Sequence, residues 1–194
     1  MSKSLGNFFT VREVLKAYDS EVLRYFILAS HYRSPLDYSD ENLKAAKSAL
    51  DGLYIALRGI APAAAAGDSE YAGRFHAAMD DDFNTPAAFA VLFDLAHALN
   101  KARAAAPARA VALAGELRAL AGILGLLVRD PEQYLRGAGA GDLGEAEIEA
   151  LIAQRVEARR NRNWAESDRL RDELKTRGVL LEDAPGGKTV WRRQ

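Results

Sequence analysis

The chain of 194 residues contains no cysteine. Disulfide bonds and thiolate metal sites are therefore excluded. Histidine is scarce as well, and His31, His76 and His97 lie far apart, without the spacing of metal ligands. Each is interpreted as a surface or half-buried helix residue. The sequence predicts no metal site in this chain.

Long apolar runs and an overall basic charge are also missing. No run reaches transmembrane length and no signal peptide is present, so we expect no membrane partner and a cytoplasmic location. The hydrophobic fraction of 49% and the charged fraction of 27% are ordinary for a globular protein. A formal net charge of −1 argues against a broadly basic nucleic-acid surface, and no DNA partner is expected. Any RNA binding would have to use local basic patches and base stacking.

The first seven residues combine small hydroxyls, one lysine and a glycine, in the order Met1-Ser2-Lys3-Ser4-Leu5-Gly6-Asn7. Serine hydroxyls and exposed backbone N–H groups can hold phosphate oxygens, and glycine allows close approach of the backbone. Lys3 supplies a compact positive charge for a leaving pyrophosphate. The same composition also fits a frayed terminus without a role.

Apolar residues at helical spacing, rich in alanine, predict a helical bundle up to about Pro131. Phe83 is expected to pack as a staple against the helix that begins near Pro86. The acidic triplet at 80–82 suggests a metal site, but three consecutive carboxylates point in different directions, so a turn is the better interpretation. The predicted N-caps are Thr10, Ser20, Ser39 or Asp40, and Thr85.

Four glycines in the nine residues 136–144 predict a flexible linker and a domain boundary. The pattern then restarts as two helices separated by a polar break at 161–163, followed by strands on either side of a turn at 184–187. The predicted fold is mainly α, a helical bundle followed by a small α+β module of two helices and a β-hairpin. The predicted segments are 1–38, the bundle 39–135, the linker and the module 145–194.

The module carries side chains suited to unpaired bases. Trp164 stands beside the polar break, where an exposed indole could stack on a base. Arg159, with Arg160 and Arg162, could bond a base edge or a phosphate. Carboxylates such as Asp168 and Asp183 could accept hydrogen bonds from N1–H and N2–H₂ of a guanine.

Structural alternatives stay open for each of these residues. Asp168 could pair with Arg171 along the same helix face, and Asp183 could be only a turn residue. Trp164 could pack between helices. Trp191, inside the second strand, is assigned to the core rather than to RNA.

Several stretches together resemble the cysteinyl-tRNA synthetase family, a branch of the class I aminoacyl-tRNA synthetases. They are MSKSLGNFF, TVREVLKAY, DSEVLRYFILASHYRSPLDYS, MDDDFNTPAAFAVLFDLA and GVLLEDAPGGKTVWRR. In that family the opening loop reads Lys-Met-Ser-Lys-Ser, and here its first lysine is missing. The resemblance covers the whole chain and implies the C-terminal portion of such an enzyme, without the nucleotide-binding catalytic domain that precedes the loop.

The resemblance also implies site residues, cofactors and partners. Met1, Ser2, Lys3 and Ser4 would contact ATP, with Lys3 catalytic, and zinc would belong to the missing catalytic domain. The partners would be that domain and a cysteine tRNA with the anticodon GCA. Trp164 would stack on one anticodon base and Arg159 on a neighbour, while Asp168 and Asp183 would accept from guanine. Arg24 or Arg33 could meet phosphate at the inner corner of the tRNA.

Without its catalytic domain the chain is predicted to be inactive. One alternative is a related ligase that joins cysteine to an amino-sugar acceptor, but such relatives lack the module at 145–194. Another alternative is a free-standing RNA-binding domain with Met1 as a native start.

Overall fold

The structure is a computed structural model that describes residues 10–61, 63, 69–137, 143–184 and 188–193. The chain divides into two compact units, Met1–Pro131 and Glu132–Gln194. Helices and one hairpin account for the regular structure, which confirms the predicted mainly α fold. The elements are α1 (Val11–Ala17), α2 (Ser20–Leu28), α3 (Asp40–Leu57), α4 (Glu70–Asp80), α5 (Thr85–Ala105), α6 (Pro107–Ile123), α7 (Pro131–Arg136), α8 (Glu145–Arg160), α9 (Trp164–Thr176), β1 (Val179–Ala184) and β2 (Lys188–Arg193).

Short polar side chains begin several helices, though two of the predicted caps are displaced by one residue. Thr10 caps α1 in a complete capping box, and Ser39 caps α3, as predicted. The cap of α2 is Asp19 rather than Ser20, and the cap of α5 is Asn84 rather than Thr85. Asp19 accepts from the Glu21 N–H and Asn84 from the Ala87 N–H, and the predicted residue becomes the first of each helix.

Apolar side chains of α2 to α6 form the core of the first unit, in which α5 packs against α3, α4 and α6. In α3 the side chains of Leu50, Leu53 and Tyr54 have 0% exposure. Two expectations are wrong. The helical spacing of Val22, Leu23, Phe26 and Ile27 predicts that Ile27 lies on the apolar face of α2, but Ile27 is 50% exposed. Phe83, the predicted staple, is 65% exposed. The buried face of α2 includes Glu21, and Phe83 has φ of 53° in the turn before α5.

A buried polar cluster joins α2 and α3 to the loop that follows α6. This Glu21 cluster consists of Glu21, Tyr54, Leu127 and Arg129. The Glu21 carboxylate accepts from the Leu127 N–H at 2.5 Å and from the Tyr54 hydroxyl at 2.9 Å. Arg129 Nε lies 3.9 Å from the same carboxylate. Burial raises the pKa of Glu21, and burial together with the neighbouring carboxylate raises the pKa of Tyr54.

The second unit packs α8 and α9 against the hairpin. Trp191 is 1% exposed, as predicted, and its Nε1 donates to Glu149 at 2.8 Å. The guanidinium groups of Arg136 and Arg193 lie 5.1 and 5.8 Å from the centre of a Trp191 ring. Gly178, with φ of 76°, follows the C-cap of α9 in the left-handed conformation that glycine adopts without steric cost. The apolar core comprises Leu143, Ile148, Ile152, Leu174, Val179 and Trp191.

Two sequence predictions fall partly or wholly on residues that the structure does not describe. The predicted glycine-rich linker at 136–144 includes residues 138–142, which lie outside the described ranges. The phosphate-handling loop, with Met1, Ser2, Lys3 and Ser4, lies entirely outside them. Both remain predictions.

Candidate RNA-binding site

The candidate site begins at the turn end of the hairpin. β1 and β2 are antiparallel, with Leu181 opposite Trp191 and Asp183 opposite Thr189. Because side chains alternate along a strand, Asp183 lies on the same face as Leu181 and Val179. That face packs on the helices through Val179 and Trp191, which are buried. At the Asp183–Thr189 pair the same face becomes polar.

Two arginines from α8 meet the Asp183 carboxylate. Arg155 Nη1 donates to Asp183 Oδ1 at 3.3 Å and lies 3.4 Å from Thr189 Oγ1. Arg159 Nη1 donates to Asp183 Oδ2 at 3.1 Å. The Thr189 hydroxyl donates to Oδ1 at 3.2 Å. These donors, with Arg155 first, hold the pKa of Asp183 below its ordinary value, so the carboxylate is ionised at neutral pH.

The exposed face of α9 carries the aromatic part of the site. Trp164 is 59% exposed, and Asp168 lies exposed one helical turn further on. Ser167, Leu170 and Leu174 are buried on another face of the same helix. The exposure of Trp164 agrees with a stacking role and argues against helix-helix packing within its own unit. Among the described side chains, no ion pair joins Asp168 to Arg171.

The polar break between α8 and α9 is held in a tight, partly strained turn. Asn163 caps α9 by accepting from the Glu166 N–H at 3.2 Å. Arg162 is exposed and has φ of 57°, a conformation that non-glycine residues rarely adopt. Arg160 pairs with Glu157 at 3.2 Å. The turn thus presents Arg162 to solvent beside Trp164, with its backbone in an unfavourable region.

The structure brings together only part of the predicted site. Arg159 and Asp183 are in direct contact, whereas Trp164 and Asp168 share α9 and make no described contact with that pair. The sequence interpretation missed Arg155, whose side chain is 7% exposed. Its position three residues after Ile152 and seven after Ile148 places it on the buried stripe of α8, which is the signal that could have identified it.

The candidate phosphate contacts of the first unit already have protein partners. Arg24 donates to the Gly125 carbonyl at 2.7 Å while its side chain remains exposed. Arg33 pairs with Asp82 at 3.0 Å, in the turn between α4 and α5 that the acidic triplet predicted.

Among the residues that the structure describes, no group of three histidine, aspartate or glutamate side chains is placed to hold a metal ion. No described helix is both long enough and apolar enough to cross a bilayer.

Comparison with known proteins finds three matching families along the chain. Residues 1–48 match "tRNA synthetases class I (C) catalytic domain", and residues 74–128 match "DALR domain". Residues 142–192 match "Cysteinyl-tRNA ligase anticodon binding domain", which includes the whole candidate site. These matches define a segment of a class I aminoacyl-tRNA synthetase.

Curated relatives narrow the class to one family. A cysteine–tRNA ligase of Thioalkalivibrio sulfidiphilus is 64% identical over 194 residues, covering 100% of this chain and 42% of the relative. Those of Methylococcus capsulatus and Pseudomonas aeruginosa (strain LESB58) are each 57% identical, covering 100% and 99% of the chain and 43% and 42% of the relatives. The chain belongs to the cysteine–tRNA ligase family and corresponds to the C-terminal part of its members. It spans less than half the length of these relatives.

Proposed function

We propose that the second unit of this chain recognises the anticodon of a cysteine tRNA. The observation that carries the proposal is that one small unit contains both an exposed indole, Trp164, and an ionised carboxylate, Asp183, which two arginines hold near the turn end of the hairpin. Single-stranded RNA is recognised in this way, by stacking on an aromatic ring and by hydrogen bonds to base edges. The match of residues 142–192 to an anticodon-binding domain supports the same role.

Each side chain has a distinct part in this proposal. Trp164 stacks on an anticodon base, a contact that is worth about 1–3 kcal/mol per base in single-strand binding proteins. Asp168 and Asp183 accept from the N1–H and N2–H₂ groups of guanine, which adenine does not present as a pair. Arg159 contacts a neighbouring base. Local chemistry of this kind suits a chain whose net charge is −1.

For the parent enzyme we propose ATP-dependent attachment of cysteine to this tRNA, which would take place in the cytoplasm, where proteins are made. Ser2, Lys3 and Ser4 would stabilise the pyrophosphate and Met1 would contact the nucleotide, once an N-terminal catalytic domain supplies the pocket. Zinc, which the family implies, has no ligand set among the described residues of this chain, so no step is assigned to it. The helical unit would act as a spacer, and the chain alone would not activate cysteine.

Binding of the chain to a cysteine tRNA transcript tests the proposal directly. A transcript whose first anticodon base is changed from G to A runs beside it, at two salt concentrations. We expect the change to weaken binding by about 1–3 kcal/mol, the size of one good base contact. Equal, weak binding of both transcripts with a steep salt dependence would indicate only phosphate contacts and would contradict anticodon recognition.

Variants assign the effect to the site. Trp164→Ala, Asp168→Asn and Asp183→Asn should each weaken binding of the cysteine tRNA, and the two Asn variants should reduce the preference for G. Asp81→Asn is the matched control, because Asp81 is an exposed aspartate at the end of α4 in the other unit. It removes the same charge and should leave the preference unchanged.

A ligase for an amino-sugar acceptor is the alternative in another class. Such an enzyme has no use for an anticodon-binding domain, and residues 142–192 match one. A cysteine-dependent product with an amino sugar, formed without tRNA by the parent enzyme, would support that alternative.

A further inference from the structure

We propose that Arg155 is the positioning residue of the Asp183 carboxylate and that Arg159 is a placeholder, which bound RNA displaces from the same carboxylate. The inference rests on the proposed reading of guanine by Asp183. It assigns opposite roles to two arginines that lie one helical turn apart on α8 and contact the same side chain.

The first argument is the unequal burial of the two arginines. The Arg155 side chain is 7% exposed, whereas that of Arg159 is 44% exposed. Because the guanidinium of Arg155 is buried, it has little access to RNA or solvent as a replacement partner, so its contact with Asp183 persists when RNA binds. Arg159 stands at the surface, where its guanidinium can exchange one anionic partner for a base or a phosphate at little cost.

The second argument is that the two arginines use different oxygens. Oδ1 accepts from Arg155 on α8 and from the hydroxyl of Thr189, its partner on β2. Oδ2 accepts from Arg159 alone among the described residues. An ionised carboxylate offers about two acceptor sites on each oxygen. Release of Arg159 therefore frees Oδ2 for the two N–H donors of guanine, while Arg155 keeps the carboxylate in place.

The third argument is that Arg155 is poorly explained by stability alone. Its Nε is buried and has no hydrogen-bond partner among the described residues. Buried ion pairs are often replaceable by apolar side chains of similar volume without loss of stability. The face on which Arg155 lies, after Ile148 and Ile152, would accept such a side chain. A charged, incompletely bonded residue at this place is accounted for by what it does to Asp183.

Two substitutions at Arg155 and one at Arg159 test the proposal. The probes are cysteine tRNA transcripts with G or with inosine at the first anticodon position, because inosine keeps N1–H and lacks the N2 amino group. The measured quantity is the preference for G, which is the dissociation constant of the inosine transcript divided by that of the G transcript. We expect Arg155→Met to reduce this ratio about tenfold, the factor carried by one good base contact. Arg155→Lys, which keeps the charge, should restore part of it.

Arg159→Ala should behave differently from Arg155→Met. It removes the placeholder, so the preference for G over inosine should be kept, whatever happens to the affinity for both transcripts. A loss of preference in Arg159→Ala equal to that in Arg155→Met would overturn the division of roles. So would an unchanged preference in both Arg155 variants.

The outcomes separate this inference from the proposed function. If the wild-type chain does not prefer G to inosine or adenine, the proposed recognition of guanine is contradicted. If the wild-type chain prefers G and the Arg155 variants keep that preference, only the positioning role of Arg155 is contradicted. A measurement without RNA adds a second readout: the NMR titration of the Asp183 carboxyl should move to higher pH in Arg155→Met and much less in Arg155→Lys. A titration unchanged in both variants would contradict the proposal even if Arg155→Met proved hard to fold.

Discussion

The backbone N–H of Leu127 donates to the carboxylate of Glu21 at 2.5 Å, although 106 positions separate the two residues in the sequence. Leu127 is fully buried and has φ of 56°. Its strained backbone is thus held by a side chain from α2, the second helix of the chain. Glu21 fixes the loop after α6 to that helix.

Replacing Glu21 should destabilise the first unit strongly. Glu21→Ala leaves the Leu127 N–H and the Tyr54 hydroxyl buried without their acceptor, at a cost of about 1–3 kcal/mol for each group. We expect the free energy of unfolding to fall by about 2–5 kcal/mol in urea denaturation followed by circular dichroism. Hydrogen exchange at the Leu127 amide should accelerate in parallel. Glu41→Ala, at an exposed site in the first turn of α3, is the control and should cost less than about 1 kcal/mol, the size of the interaction of one carboxylate with a helix N-terminus.

Stability should also depend on pH through Glu21. Its pKa is raised by burial, so the folded chain binds a proton at pH values where the unfolded chain has released it. The contribution of this group is therefore greatest below about pH 4.3, the ordinary glutamate value, and is lost as the pH rises through the folded pKa. The difference in unfolding free energy between wild type and Glu21→Gln should fall across that window and level off above it. A difference that grows with pH would contradict the sign.

Replacing Gly125 by alanine should destabilise the chain more than the same change at Gly122, three positions earlier. Gly125 has φ of 69°, and a Cβ there would lie 2.8 Å from Arg24 Nη1, so alanine would also disturb the bond from Arg24 to the Gly125 carbonyl. We expect Gly125→Ala to cost about 1–2 kcal/mol from the backbone alone. Gly122→Ala is the matched control, because a Cβ at that helical position meets nothing within 4 Å.

The double variant Arg24→Ala/Gly125→Ala separates the two causes. Removing the arginine relieves the crowding and leaves the backbone cost, so the double variant should remain less stable than Arg24→Ala. Thermal denaturation of the four chains measures both terms. Equal stability of Gly125→Ala and Gly122→Ala would show that neither term matters.

Arg162 should favour RNA binding at the expense of stability. With φ of 57°, it occupies a conformation that glycine adopts without steric cost, so Arg162→Gly should unfold at equal or higher urea concentration. The same change removes an exposed cation beside Trp164 and should weaken tRNA binding. Arg162→Ala keeps the strained backbone and should lose the binding without the gain. A Gly variant that binds tRNA as tightly as wild type would remove Arg162 from the interface.

The two tryptophans show what the sequence could predict. Trp164 beside a polar break and Trp191 inside a hairpin are correctly separated into an exposed and a buried ring, because local chemistry decides both. The cap of α2 and the burial of Glu21 were missed for the opposite reason. Val22, Leu23, Phe26 and Ile27 form a reasonable helical stripe, but contacts with α3 and with the loop after α6 select the face that includes Glu21 and Tyr25.

In the candidate site, too, local chemistry could be predicted and contacts between distant elements could not. Arg159 and Asp183 were predicted individually, from the chemistry of their side chains. Their direct contact depends on the register of the hairpin and on the packing of α8 against it, and 24 positions separate them. The spacing of Arg155 from Ile148 and Ile152 marks it as a charge on the buried stripe of α8. Its contacts with Asp183 and Thr189 then show that it belongs to the site.

Both tryptophans of the chain lie in the second unit, and their surroundings are opposite. Trp164 is 59% exposed and Trp191 is 1% exposed, so their emission should differ in wavelength and in accessibility to a soluble quencher. The native chain therefore carries two intrinsic fluorescent reporters. A change confined to the quenchable, long-wavelength emission of Trp164 would report a base that stacks on α9. A red shift of the protected emission of Trp191 would report the loss of the hairpin core. The first unit contains no tryptophan and contributes to neither signal.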